Sequence, residues 1–223
     1  MIVNVILAFV MFGVALGIKL NALTDIIHKP KSIIVGMFLQ WFALPAITFA
    51  IAMVLSPFIT PMIALGMILI ASCPGGNISN FLSALSNGNI ALSVSLTAIT
   101  TAMAPIITPF NFYFWGNMYS HFISVKNDIP QLVIPFLPML EQIMLLLGLP
   151  VVLGLLFSHY FPKATKKITA PLQGLSVLLF VGMVVVAFVQ NFQIFIDNIF
   201  YVFFIVAFHN AAALATGYFG GRL

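Results

Sequence analysis

Seven long apolar stretches run through the chain, parted by short polar or proline-containing segments. None alternates apolar with polar at a period of two, so the pattern is that of membrane helices and not of a barrel. It predicts an all-α, polytopic membrane protein with helices over about 1–18, 32–55, 60–86, 90–115, 133–158, 168–190 and 196–219. At ~1.5 Å per residue the second crosses a bilayer with some tilt. Ser56-Pro57-Phe58 and Asn87-Gly88-Asn89 read as turns. Pro105 and Pro109 predict a bend in the fourth helix, and residues 116–132 a more polar loop. The third stretch is interrupted in its middle, at residues 73–76. There Ser72-Cys73-Pro74-Gly75-Gly76-Asn77-Ile78-Ser79-Asn80 sets a proline and two glycines in succession. Proline lacks an N–H and glycine carries an entropy cost, so a helix does not continue cheaply through them. In lipid the freed backbone groups find no water, and such a break persists only against protein or a wet cavity.

Composition agrees with the pattern. The chain is 62% apolar and 5% charged, with a mean hydropathy of +1.19, whereas a soluble domain carries roughly 25% charged residues. The partner this implies is the lipid bilayer. The net charge of +4 is spread over short loops and forms no patch, so nucleic acid is not a partner. A single cysteine excludes a disulfide within the chain and a CxxC metal site. The apolar start, Met1 to Leu16, has no basic segment before it and reads as a first span, not a cleaved signal.

The basic residues orient the protein. Lys19, Lys29 and Lys31 follow the first helix, Lys163, Lys166 and Lys167 the fifth, and Arg222 the last. Seven spans put these on one face and leave only Lys126 opposite, so that face is cytoplasmic and the N-terminus external. Counting the broken helix as two spans would scatter the lysines.

The break also concentrates the chemistry. The half-helix that starts at Asn77 opens with N–H groups that have no partner inside the helix, a small positive pole suited to a carboxylate or similar anion. The carbonyls near Ala71 and Ser72 have the opposite polarity and suit a cation. The alternative is a proline kink filled by neighbouring helices. Ser93 and Thr97 stand four apart on the fourth helix and share a face, which Thr100 and Thr101 extend. Neutral hydroxyl and amide oxygens suit a monovalent cation better than calcium, which recruits carboxylates. Equally, such hydroxyls bond back to their own helix. Gln40 is a mid-helix amide five residues before Pro45, a ligand or glue between helices. His209 reads as a packing residue. Cys73 or Ser79 as a nucleophile would need a general base, and only His209 is on offer.

Together the segments Met11-Phe12-Gly13-Val14-Ala15-Leu16, Pro30-Lys31, Gln40-Trp41-Phe42-Ala43-Leu44-Pro45, Cys73 to Asn80, Leu92-Ser93-Val94-Ser95-Leu96-Thr97, and His209-Asn210 with Gly217-Tyr218 resemble the bile-acid:sodium symporter family. The resemblance covers nearly the whole chain. It implies two inverted repeats, with a panel domain (here 1–18, 133–158, 168–190) and a core domain (32–55, 60–86, 90–115, 196–219). It implies sodium-coupled uptake of an organic anion, bile-acid-like or a small carboxylate. One sodium would be held by Ser79, Asn80, Ser93 and Thr97, a second in part by Gln40, and the substrate would lie by Gly76, Asn77 and Ile78. Two departures stand out. The position after Gly75-Gly76 is Asn77 where the family usually has threonine or serine. The family's second broken helix, with its glutamate ligand, is expected beyond Leu223, and no acidic residue here replaces it: Asp25, Asp128 and Asp197 are expected in loops and Glu141 in a panel helix. The rival expectation is a truncated, inactive product or a subunit that needs a partner.

Overall fold

The computed structural model describes residues 2–18, 30–127 and 133–222, and among them helix is the regular structure throughout. In order come α1 (Ile2–Leu16), α2 (Pro30–Phe38), a π segment (Leu39–Ala43), α3 (Leu44–Leu55), α4 (Pro61–Ser72), α5 (Asn77–Leu85), α6 (Ile90–Asn127), α7 (Phe136–Ile143), a second π segment (Met144–Gly148), α8 (Leu149–Tyr160), α9 (Pro162–Gln190) and α10 (Phe192–Gly220). Five helical runs among the described residues are long and apolar enough to cross a membrane: 30–55, 90–125, 136–160, 162–190 and 202–220. Asn4–Leu16 and Pro61–Ser72 are apolar but shorter. The chain is an all-α, multi-pass membrane protein.

Local chemistry explains the ends that matter. Thr60 caps α4 by accepting from the Ile63 N–H at 3.4 Å, and Pro61 takes the first helical position, where its missing N–H costs nothing. Between α5 and α6, Asn87 adopts a left-handed φ of 52°. The Gly88 N–H reaches the Ser83 carbonyl at 2.8 Å and the Asn87 N–H the Ala84 carbonyl at 3.2 Å, the paired closure that stops a helix. Asn89 then caps α6 by accepting from the Leu92 N–H at 3.0 Å. The turn that folds α5 back onto α6 is thus written in Asn87-Gly88-Asn89.

Two expectations need correction. The fourth helix does not end near 115 but runs to Asn127. Its polar-looking tail carries Trp115, Tyr119 and Ile123 four apart, and all three are buried, so one packed face holds the helix on. Asp197 is not in a loop. It lies in α10, one turn after Gln193, whose Nε2 donates to its carboxylate at 3.1 Å. Lys163, Lys166 and Lys167 sit in the opening turns of α9, exposed. Lys19, Asp25, His28, Lys29 and Asp128 lie outside the described residues.

The contacts divide the chain into two units, Met1–Lys19 with Gln142–Phe208, and Leu20–Glu141 with His209–Leu223. In the first, α1 packs on α8 and α9 through small residues. Gly13 of α1 lies against the Ser176 hydroxyl, Gly17 against the Gln173 amide, and Gly154 of α8 against Ala15. A Cβ on Gly154 would stand 2.6 Å from that of Ala15 and 3.1 Å from the Phe12 carbonyl oxygen. Gly154→Ala is therefore expected to destabilise the protein by about 1–3 kcal/mol, the usual cost of overpacking. Gly182→Ala, where a Cβ meets nothing within 4 Å, is the neutral control, with thermal unfolding in detergent as the measurement.

The second unit holds the broken helix. Here α4 packs on α3 and α6, and α5 and α2 each pack on α6. Ala64, Ile68 and Ala71 of α4 and Ala98 and Ile99 of α6 are among its buried residues. The polar side chains around the break are set on this frame.

Candidate functional site

α4 ends at Ser72, whose hydroxyl donates to the Ile68 carbonyl at 2.7 Å. Cys73 turns extended (φ −79°, ψ 153°), as does Gly76 (φ −90°, ψ 168°), and α5 begins at Asn77. Gly76 is the N-cap residue and offers no side-chain cap. The Ser79 N–H is taken by the Gly76 carbonyl at 3.0 Å. The N–H groups of Asn77 and Ile78 have no acceptor within the helix. Neither glycine has positive φ, so what they supply is the absence of a side chain.

One turn into α5, Asn80 faces α6. Its Oδ1 accepts from the Ser93 hydroxyl at 2.7 Å and from the Thr97 hydroxyl at 3.2 Å. Ser93 and Thr97 share a face because they are four apart, and the Asn87-Gly88-Asn89 turn brings that face to Asn80. Three neutral oxygens from two helices therefore converge in a half-buried position. Among the described residues no three His, Cys, Asp or Glu side chains gather to hold a metal. The oxygens on offer at this cluster are those of hydroxyls and an amide, the set that suits a monovalent ion.

Ser79 is not brought into this cluster. It is exposed, and its hydroxyl donates to the Gly76 carbonyl at 2.7 Å. Successive helix residues are about 100° apart, so Ser79 and Asn80 do not present one face. Thr100 follows the back-bonding alternative and donates to the Leu96 carbonyl at 2.8 Å. Gln40 lies in the first π segment, a helix distortion frequent at functional sites. A Cβ added to Gly75 would be 3.6 Å from Gln40 Nε2, so this amide sits against the break. The side chains of Asn77 and Ile78 lie outside the described residues.

His209 has a structural task. Thr48, fully buried in α3, donates to the Leu44 carbonyl at 2.8 Å and pairs with His209 Nε2 at 2.8 Å. That nitrogen is thereby engaged on α3 and is no base for Cys73, which is free and exposed. Two residues escaped the sequence reading, Thr48 and Asn111. Asn111 Nδ2 donates to the Trp41 carbonyl at 2.8 Å. The signal for it was Pro45, which denies Trp41 its helical donor. A cavity of about 450 Å³ opens in the same unit between Lys31, Ser32, Gly36, Leu92, Leu96 and Gly217. None of the expected site residues lines it.

A multi-pass helical protein with an interrupted helix, and a neutral oxygen cluster one turn beyond the interruption, has the build of a secondary transporter. Residues 4–198 match the Sodium Bile acid symporter family, and the chain belongs to that family. It is similar to an uncharacterized sodium-dependent transporter, YocS, of Bacillus subtilis (strain 168), 28% identical over 224 residues that cover 99% of this chain and 64% of that protein. It is 29% identical over 163 residues to the probable sodium/metabolite cotransporter BASS1, chloroplastic, of Arabidopsis thaliana, covering 73% of this chain and 37% of that one. With the human ileal sodium/bile acid cotransporter the identity is 28% over 167 residues, 75% of this chain and 45% of that one. The chain thus spans less than two thirds of the length of each of these relatives. The family is one of transporters, not enzymes.

Proposed function

We propose that the chain serves sodium-coupled symport of an organic anion, bile-acid-like or a small carboxylate, across the cell membrane, with its N-terminus outside. The observation that carries the reading is the convergence of the Ser93 and Thr97 hydroxyls on Asn80 Oδ1, one turn after the break. In this reading a sodium ion takes the centre of that cluster as cargo. The two hydroxyl protons then turn to the carbonyls one helical turn back, as Thr100 already does, and present lone pairs to the ion. For Ser79 to join, α5 must turn on α6 and the hydroxyl exchange its bond to the Gly76 carbonyl for the ion. Gln40 contributes to a second sodium: its side chain makes no hydrogen bond among the described residues, and it stands against the break. The anion docks on the free N–H groups at Gly76, Asn77 and Ile78, where the nearby sodium charge reinforces the half-helix pole. The sodium named in all three relatives supports the coupling ion. The positive-inside rule, with exposed Lys163, Lys166 and Lys167 at one end of α9, supports the orientation.

The test uses the purified chain in detergent at constant ionic strength, with choline replacing sodium. Sodium is expected to raise the thermal midpoint in a saturable way. It is also expected to slow alkylation of Cys73, the one cysteine, which is exposed at the break. A panel of carboxylates and sulfonates is expected to add protection only in the presence of sodium. Equal thermal midpoints and equal alkylation rates in sodium and choline would overturn the reading.

A further inference from the structure

The helical run from α2 to α3 contains a proline, Pro45, in its interior, immediately after a π segment. In that segment the Leu44 N–H reaches back five residues to the Leu39 carbonyl. The next N–H along would serve Gln40 in the same register or Trp41 in the α register, and Pro45 has none. A carbonyl therefore loses its donor inside a membrane span, where an unpaired one is costly. Asn111 of α6 supplies a replacement, its Nδ2–H donating to the Trp41 carbonyl at 2.8 Å from a side chain 7% exposed. Rings flank this bond. Phe42 and Phe49 pack on Trp115, one turn beyond Asn111, with centroids 5.8 and 5.6 Å away.

The bond ties the segment that carries Gln40 to α6. A π segment holds one residue more than the α-helix would, and a helix advances about 100° per residue. Should the segment relax into α geometry, everything before it would turn by about that angle relative to α3. Gln40 would then swing away from Gly75. We propose that Asn111 is a positioning residue: by holding the Trp41 carbonyl, next to Gln40, it ties the π segment to α6 and keeps the Gln40 amide at the break, in place for sodium. The inference rests on the reading of Gln40 as a sodium ligand given above.

The test is a double-mutant cycle read as the sodium concentration that gives half of the thermal stabilisation. Asn111→Leu is expected to raise that concentration about tenfold, the size expected when a buried carbonyl loses its donor. Asn111→Gln keeps an N–H donor and is expected to stay within about threefold of wild type. In a Gln40→Ala background the remaining sodium response belongs to the Asn80 cluster, and there Asn111→Leu is expected to change nothing beyond about twofold. A purely structural role would lower the basal thermal midpoint and shift the sodium response equally in both backgrounds. If the leucine variant does not fold, Asn111→Ser serves, since its hydroxyl is too short to reach Trp41 and the same rise is expected. A leucine or serine variant with a wild-type midpoint overturns the proposal, as does a tenfold rise that survives in Gln40→Ala. A wild-type protein with no sodium response fails earlier, and removes the sodium reading together with this one.

Discussion

Replacing Asn80 with alanine is expected to remove this cluster's share of the sodium-dependent gain in thermal stability, or to raise the sodium midpoint of that share about 30-fold or more. The estimate follows from what the residue does. Its Oδ1 is the one atom that both hydroxyls address, at 2.7 Å from Ser93 and 3.2 Å from Thr97. Each hydrogen-bond or ion contact involving a charge is worth about 1.5–3 kcal/mol, and removing the central oxygen also disperses the other two. Ser93→Ala leaves two of the three oxygens in place and is expected to cost less, with Thr97→Ala, the longer contact, costing least. Basal stability should change little. Both orphaned hydroxyls fall back on carbonyls of their own helix, so the net loss is about 1–2 kcal/mol. That separation between a large sodium effect and a small stability effect is the signature to look for. A sodium midpoint unchanged in Asn80→Ala, measured by thermal shift against choline, would remove the cluster as a cation site.

The parts of this architecture written locally were legible, and the parts written across helices were not. Pro74, Gly75 and Gly76 in succession announce the break, because proline and glycine act on their own backbone. The Asn87-Gly88-Asn89 turn declares itself in the same way, through one residue with φ of 52° and one cap. That Ser93 and Thr97 share a face follows from spacing. Which of two neighbours, Ser79 or Asn80, meets that face depends on how α5 is rotated on α6, and no periodicity in nine residues fixes that rotation. Asn111 and Thr48 were harder still. Each serves a carbonyl or a ring on another helix, 70 and 161 positions away in the chain. The extent of α6 is hidden for a related reason. Polarity along the chain predicts an end near 115, whereas the helix is held by Trp115, Tyr119 and Ile123 on a single face.

Gly76→Val is expected to leave the sodium response within about twofold of wild type and to weaken the anion response by about tenfold or more. The backbone gives no reason for glycine here. At φ −90° and ψ 168° the residue is extended, a conformation that valine favours. Nor does the protein crowd it, for a Cβ at Gly76 meets nothing within 4 Å. The open volume lies directly before the first N–H groups of α5, where an anion must approach within about 3 Å to accept from them. A branched side chain in that volume obstructs the ligand without disturbing the fold, and it leaves Asn80, Ser93 and Thr97 alone. Gly75→Val makes the opposite prediction. Its Cβ would stand 3.6 Å from Gln40 Nε2, so the two added methyls press on the amide and the sodium response suffers. Substitutions at two adjacent glycines would thus tell the proposed anion site from the proposed sodium site. The experiment is a pair of titrations on each variant, sodium alone and anion at saturating sodium, read by protection of Cys73 from alkylation. An anion response in Gly76→Val equal to that of wild type would mean that the substrate does not approach this half-helix from its open end.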